Sequence, residues 1–373
     1  MTSPVCDVLI LVEDPGAANN VLGLVEALRI RGRSARLFAV GPAVDYLRAF
    51  GEAPETDPGR DADALIDLVD PGLVLVGTSE NTDSLCLALV VAARARHRPS
   101  AAVVDGPSSA AFRFRGHSSD PLAFAPDWLL VPESFTRDAY KDLGFLETRM
   151  ITSGHALFDR VRIVGEALAE EGRDAVRHRV LPDAPDGRPI LVFVAERSDG
   201  LDPGAFSRRS DYTLQGRGGS NRRTDIVLEE VLDGLTDLAT RPYVVLRLHP
   251  KNTRAEFAAY EHEVDEVSAG GQAYEIVSAA DAVVGLTSIL LLEAAILDRP
   301  TLAVVPRVSE RYWLASIAMG ITPAVDSRTE LRRTLSRLLA GETLGRRAQE
   351  VLKFGAIDHM AEALGLILTD AST

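Results

Sequence analysis

Short runs of β-branched and apolar residues alternate with longer amphipathic stretches from the first residues onward, the pattern of parallel βαβ units. The alternation falls into two series. The first predicts strands at Val5–Val12, Ala35–Val40, Leu73–Gly77, Ala101–Asp105 and Trp128–Val131, with helices such as Asn20–Arg31 and Ser84–Arg96 between them, and it ends near Met150–Thr152. A charged helical stretch, Val161–Arg188, then runs into LPDAPDGRP, whose proline, glycine and aspartate residues read as an interdomain connection. The second series predicts strands at Ile190–Val194, Tyr243–Leu248, Ala282–Gly285 and Thr301–Val305, and helices at Asp225–Ala239, Arg254–Val267, Ser288–Leu297 and Arg328–Leu339. Between Ser198 and Arg223 the period disappears and five arginines occur, so this stretch reads as a loop: either a solvated insertion or a flap whose arginines meet phosphate oxygens.

The expected architecture is therefore α/β, with two Rossmann-like domains at 1–162 and 186–355 and a helix over 356–373 that packs back on the first domain. Ligands of open parallel sheets bind beyond the carboxyl ends of the strands, which places the expected site in a cleft between the halves. A length of 373 residues suffices for two such cores, and 46% hydrophobic with 25% charged residues is the composition of a folded chain. The formal charge of −14 argues against nucleic acid and anionic lipid as partners and favours a small or neutral one. Cys6 and Cys86 lie in apolar stretches, so they form no disulfide framework and no cysteine-based metal site, and they read as core residues in a reducing compartment. No run reaches the roughly 18–20 apolar residues of a membrane span and no basic segment precedes Val8–Val12, so a cytoplasmic location is expected.

Candidate chemistry sits where strands end. The first strand runs into Glu13-Asp14-Pro15-Gly16 and then Asn19 and Asn20. Either this is a turn with an asparagine cap, or Asp14 or Glu13 is a general base for an acceptor hydroxyl. A dinucleotide fingerprint is absent, so NAD binding is disfavoured. Thr78, Ser79 and Asp105 follow later strands, where capping explains them or they hold acceptor hydroxyls; His155 stands at the exit of the domain, at a helix start that could approach a ligand.

The second half carries the more specific text. Arg247, His249 and Lys251 end a strand, and Pro250 fixes the exit direction; His249 either binds neighbouring backbone or donates to phosphate. Thr287 and Ser288 lead directly into a helix, where Ser288 caps it and the free N–H groups can receive an anion. Glu293 stands among apolar residues, and a lone buried carboxylate is costly, so it either pairs with an arginine or accepts from ribose hydroxyls.

The segments LRLHPKNT, SAADAVVGLTSILLLEAAILDRPTLAV and PRVSERYW resemble the donor-nucleotide domain of GT-B glycosyltransferases of bacterial surface-polysaccharide type and their relatives, the non-hydrolysing UDP-N-acetylglucosamine 2-epimerases. VEDPGAANNVLGLVEAL and MITSGHALFD fit the first domain of such enzymes. The resemblance implies two Rossmann-like domains facing each other across a cleft, the first on the acceptor side and the second holding a nucleotide-activated sugar. It further implies that His249 and Lys251 contact the donor phosphates, that Thr287 and Ser288 receive the phosphate, and that Glu293 holds the ribose. On that basis the expected function is metal-independent sugar transfer to a hydroxyl acceptor, with no cofactor beyond the nucleotide sugar; Arg197 and Arg247 join the donor residues and Asn19 the acceptor residues. Epimerisation or hydrolysis of the nucleotide sugar is the alternative enzyme reading, and a non-catalytic nucleotide-binding protein the third. The epimerases' His-Arg-Arg-Glu-Asn run is replaced here by Ala195-Glu196-Arg197-Ser198-Asp199-Gly200, which leaves the epimerase acid/base set incomplete.

Overall fold

The computed structural model describes residues 6–56, 61–106, 109–197 and 203–370. The chain divides into two compact units, Met1–Asp159 with Leu352–Thr373, and Arg160–Val351. Each is built on a six-stranded, all-parallel sheet.

In the first unit the strands are β1 (Cys6–Val12), β2 (Ala35–Ala39), β3 (Pro71–Gly77), β4 (Ser100–Val103), β5 (Trp128–Val131) and β6 (Met150–Thr152), in the order β2-β1-β3-β4-β5-β6. Their continuous apolar text is what a sheet covered on both faces requires. Along β1, Leu9 and Leu11 enter one core with Phe38, Val74 and Tyr140, while Val8, Ile10 and Val12 enter the other with Leu24, Leu28 and Leu73. That second core also takes Met360, Leu364 and Ile367 from the helix Ala356–Asp370.

The second unit holds β7 (Ile190–Val194), β8 (Tyr243–Arg247), β9 (Glu266–Ser268), β10 (Ala282–Gly285), β11 (Thr301–Val304) and β12 (Ala324–Val325). Their order, β12-β11-β10-β7-β8-β9, is the doubly wound order in which the first and fourth strands of the unit lie side by side. Leu191 and Phe193 pack with Val227, Val231 and Leu335 from the helices Arg223–Leu235 and Arg328–Leu339.

Four sequence expectations are corrected. The helix expected at Asn20–Arg31 is two helices, Pro15–Val21 and Leu24–Ile30, because Gly23 adopts φ 81° between them; Asp14 stands at the cap position and Asn19 and Asn20 lie buried inside the first helix. The helix expected at Arg254–Val267 is a 3₁₀ turn over Arg254–Tyr260, opened by a Thr253–Glu256 capping box and followed by β9, which pairs with β8. The long charged stretch is broken at Gly172 (φ 88°) into Ala156–Glu171 and Arg173–Val180. Finally, β9 and β12, three and two residues long, carry too little pattern to stand out in the sequence. No helix among the described residues is long and apolar enough to cross a membrane.

Candidate functional site

At the carboxyl edge of the second sheet, β7 and β10 lie side by side, and the residues just beyond them meet. The Glu196 carboxylate accepts from the backbone N–H of Thr287 at 2.5 Å and from the Thr287 hydroxyl at 3.3 Å. Arg223, fully buried, donates to Glu196 at 2.6 Å, to the Thr287 hydroxyl at 3.1 Å and to Glu310 at 2.5 Å and 2.7 Å. Glu310, also fully buried, accepts in turn from Arg307 at 2.8 Å. Trp313 lies under both guanidiniums, 5.1 Å from Arg223 and 5.2 Å from Arg307. Burial works against the charge on Arg223, but the two glutamates outweigh it and raise its affinity for the proton.

The backbone N–H expected to receive a ligand's phosphate at Thr287 is thus held by the protein's own carboxylate. Ser288 does cap the helix Ile289–Ile296, accepting from Leu290 N–H at 3.3 Å. Sequence reasoning missed Glu196, Arg223, Glu310 and Arg307 as a cluster; Arg223 and Glu310 are 87 positions apart, and no spacing rule joins them. The loop that ends at Arg223 is pinned by its arginines: Arg217 pairs with Asp233 and Glu263 at 2.7 Å each, and Arg222 pairs with Asp225 at 2.8 Å. Its residues 198–202 lie outside the described residues.

Beyond β8 the electrostatics differ. Arg247 is buried, donating to Ser268 Oγ at 2.9 Å and to the Gly271 carbonyl at 3.3 Å, and has no ion-pair partner among the described residues. Burial lowers its affinity for the proton with no carboxylate to offset it. His249 accepts the Lys251 backbone N–H on Nδ1 at 3.1 Å, which puts the neutral ring's proton on Nε2. Lys251 is exposed and makes no ion pair among the described residues, and half-buried Arg197 follows Glu196 at the end of β7.

Glu293 is 7% exposed and accepts from the Tyr274 hydroxyl at 3.4 Å. The arginine ion pair that was one expectation for it is absent among the described residues; burial pushes its carboxyl up to about 7, the Tyr274 hydroxyl and the charge of Arg160 opposing the rise. Between the ordinary glutamate value and about 7 the folded state holds the proton more tightly than the unfolded state does. Stability therefore falls as pH rises through that window, and the full cost is present above it. Glu293→Gln should raise the unfolding free energy at pH 8 by about 3 kcal/mol and change it little at pH 4.5, as checked by urea melts at the two pH values.

In the first unit β1 and β3 are neighbours at the point where strand order reverses. Glu13 is engaged as a helix cap: it accepts from the Ser84 hydroxyl and from Leu85 N–H at 3.0 Å, at the start of the helix Leu85–Ala95. Asp14 is half-buried and makes no side-chain capping bond. Asp105 ion-pairs with Arg113 at 3.0 Å, and Arg113 donates to the Thr78 hydroxyl at 3.1 Å. Burial raises the Asp105 carboxyl against the pull of Arg113, and the charges of Asp14 and Glu80 raise it further. Asp14, Thr78 and Asp105 are therefore brought together, with Arg113 as a member the sequence did not disclose.

The remaining acceptor-side residues are tied to the fold. Asn19 accepts from the Tyr46 hydroxyl at 3.0 Å, Ser79 from Asn81 N–H at 3.2 Å, and His155 Nδ1 from Leu157 N–H at 3.1 Å, with its ring stacked on Phe158. No group of three or more metal-ligating side chains stands together among the described residues.

No family model matches the sequence, and a search of the curated proteins gives no match. Solved structures do match. The UDP-GlcNAc 2-epimerase of Methanocaldococcus jannaschii is 12% identical, with a TM-score of 0.66 over 96% of this chain and 99% of its own. The Neisseria meningitidis enzyme of the same name, bound to UDP-GlcNAc, is 12% identical with a TM-score of 0.62 over 98% of this chain and 100% of its own. A variant of the wall teichoic acid polymerase TagF is 11% identical, with a TM-score of 0.54 over 98% of this chain and 89% of its own. At these identities the likeness is one of fold. Two parallel six-stranded α/β units in these strand orders, with these structural neighbours, give the chain the GT-B fold.

Proposed function

We propose that the protein is an enzyme that binds a nucleotide-activated sugar at the carboxyl edge of its second unit and transfers the sugar to a hydroxyl acceptor. The observation that carries this reading is Arg247: a buried guanidinium without a carboxylate partner among the described residues, on the strand that continues into His249 and Lys251. A charge held in low dielectric without a counter-ion is costly unless a ligand supplies one, and a diphosphate does so. Arg247, His249 Nε2–H and Lys251 would stabilise the negative charge that develops on the leaving phosphate. Arg197 and Ser288 would border the same edge, and Glu293, protonated in part near neutral pH, would exchange hydrogen bonds with ribose hydroxyls. Because Glu196 occupies Thr287 N–H, the phosphate is assigned to the β8 end and Thr287 to the frame around it. No metal enters this reading.

The acceptor hydroxyl is assigned to the first unit. Asp14 takes its proton, and Thr78 and Asp105 are the hydroxyl-binding groups beside it. Glu13, engaged as a helix cap, leaves the role of base to Asp14. Accordingly, Asp14→Asn should abolish transfer and leave nucleotide affinity unchanged. Glu13→Gln should retain activity and lose about 1 kcal/mol of stability, as expected for a weakened helix cap. A fully active Asp14→Asn enzyme would remove the assigned base.

A second reading, epimerisation or hydrolysis of the nucleotide sugar, is favoured by the two solved 2-epimerases of similar fold. Incubation with donor alone separates the two: a new sugar product without acceptor supports the second reading, and strict acceptor dependence supports the first. A third, purely nucleotide-binding role is eliminated by any turnover.

A further inference from the structure

The opposite edge of the second sheet, where the chain enters β10 and β11, carries a cavity of about 480 Å³. It opens between the helix Ala156–Glu171 and the turn that follows Ile289–Ile296. Arg162, Arg173 and Arg299 line its polar side, and Leu168, Ile296 and Leu297 form an apolar wall. That volume lies within the range of about 300–1,000 Å³ typical of small-molecule sites.

The polar side is short of negative charge, although the protein carries −14 overall. Asp281 serves several cations at once: one oxygen is 2.6 Å from Arg173, the other is 3.8 Å from Arg177 and also accepts the backbone N–H of Ile190 at 2.7 Å. Two carboxylates line the cavity itself, Glu166, 3.0 Å from Arg162 along the same helix, and Asp298, 3.8 Å from Arg347. Arg299 donates through Nε to the Leu297 carbonyl at 3.2 Å and makes no ion pair among the described residues. Arg173 Nε is buried and donates to nothing among the described residues. Buried donors are almost always partnered, and this unused one belongs to a guanidinium that lines the cavity. Burial and the neighbouring charge of Arg173 work against the charge on Arg299, and the charges of Asp298 and Asp281 offset them only in part.

We propose that this cavity is a second binding site, for a small molecule bearing a phosphate group, whose oxygens Arg173 and Arg299 share while the apolar wall takes its uncharged part. A phosphate suits two planar guanidinium forks better than a carboxylate, because it offers three terminal oxygens and up to two charges. The site lies at the amino ends of β10 and β11, whereas the nucleotide site proposed above lies beyond the carboxyl ends.

The test follows amide hydrogen exchange across the full-length protein during titration with inorganic phosphate and, separately, with phenyl phosphate. Both should protect residues 162–173 and 296–299, phenyl phosphate at the lower concentration, and Arg299→Gln should weaken both by about tenfold or more, as loss of a charge-assisted hydrogen bond predicts. Protection confined to the ends of β8 and β10, no protection at all, or unchanged affinity in Arg299→Gln would overturn the site. Equal affinity for the two probes would remove the apolar wall and with it the small-molecule assignment. Because the exchange map is read on the unmodified protein, the proposal remains testable should Arg299→Gln fail to fold.

Discussion

Arg223→Met should destabilise the second unit by about 3–5 kcal/mol, the cost of leaving buried carboxylates without their partner. Arg223 is wholly buried and holds both Glu196 and Glu310, of which Glu310 is itself fully buried. Methionine fills a similar length but supplies none of the donors. Arg307 still neutralises Glu310, but Glu196 loses its cation and, among the described residues, keeps the hydrogen bonds of Thr287 alone. Adding Glu196→Gln to Arg223→Met should recover part of the loss, because the uncompensated charge is then gone. Denaturant melts of the three proteins measure this directly; a single variant as stable as the parent would mean that the network contributes nothing.

The second large effect concerns Arg247 and has a different signature. Arg247→Met should leave stability within about 1 kcal/mol of the parent, because the guanidinium is relieved of an unpaired buried charge while two hydrogen bonds, to Ser268 and Gly271, are lost. Nucleotide affinity, by contrast, should fall by about 2–3 kcal/mol, the worth of a charge-assisted hydrogen bond in a buried site. Two buried arginines in one unit are thus expected to fail in different ways: Arg223 costs the fold, Arg247 costs the ligand. A buried charge that adds nothing to the fold is what a functional site predicts.

Both sheets were legible in the sequence because their inner strands are buried on both faces, so LILV and LVFV read as strands without help from any partner. The short strands β9 and β12 were not, since two or three residues take their identity from the neighbour that pairs with them. Gly23 ended a helix that the apolar period alone would have continued. The same division holds at the site. His249 and Lys251 were visible because they directly follow a strand, and their place depends on local chain order. The Glu196–Arg223–Glu310–Arg307 cluster was invisible because it is assembled from a strand end, a helix start and the 3₁₀ turn Val308–Tyr312, which only the sheet order brings together. Glu13 and Asp14 look alike as neighbouring carboxylates; the helix start at Ser84, some 70 positions away, is what separates the cap from the candidate base.

The central claim, that the carboxyl edge of the second sheet receives a nucleotide's negative charge, is tested most directly by thermal melting of the parent and Arg247→Met across UDP, GDP, CDP, CMP and dTDP. A ligand bound only by the folded state stabilises it by about 2.7 kcal/mol at a concentration of 100 Kd. One of the five should raise the parent's Tm and leave Arg247→Met nearly unmoved. An unshifted parent across the whole panel, or the same shift in both proteins, would contradict the account.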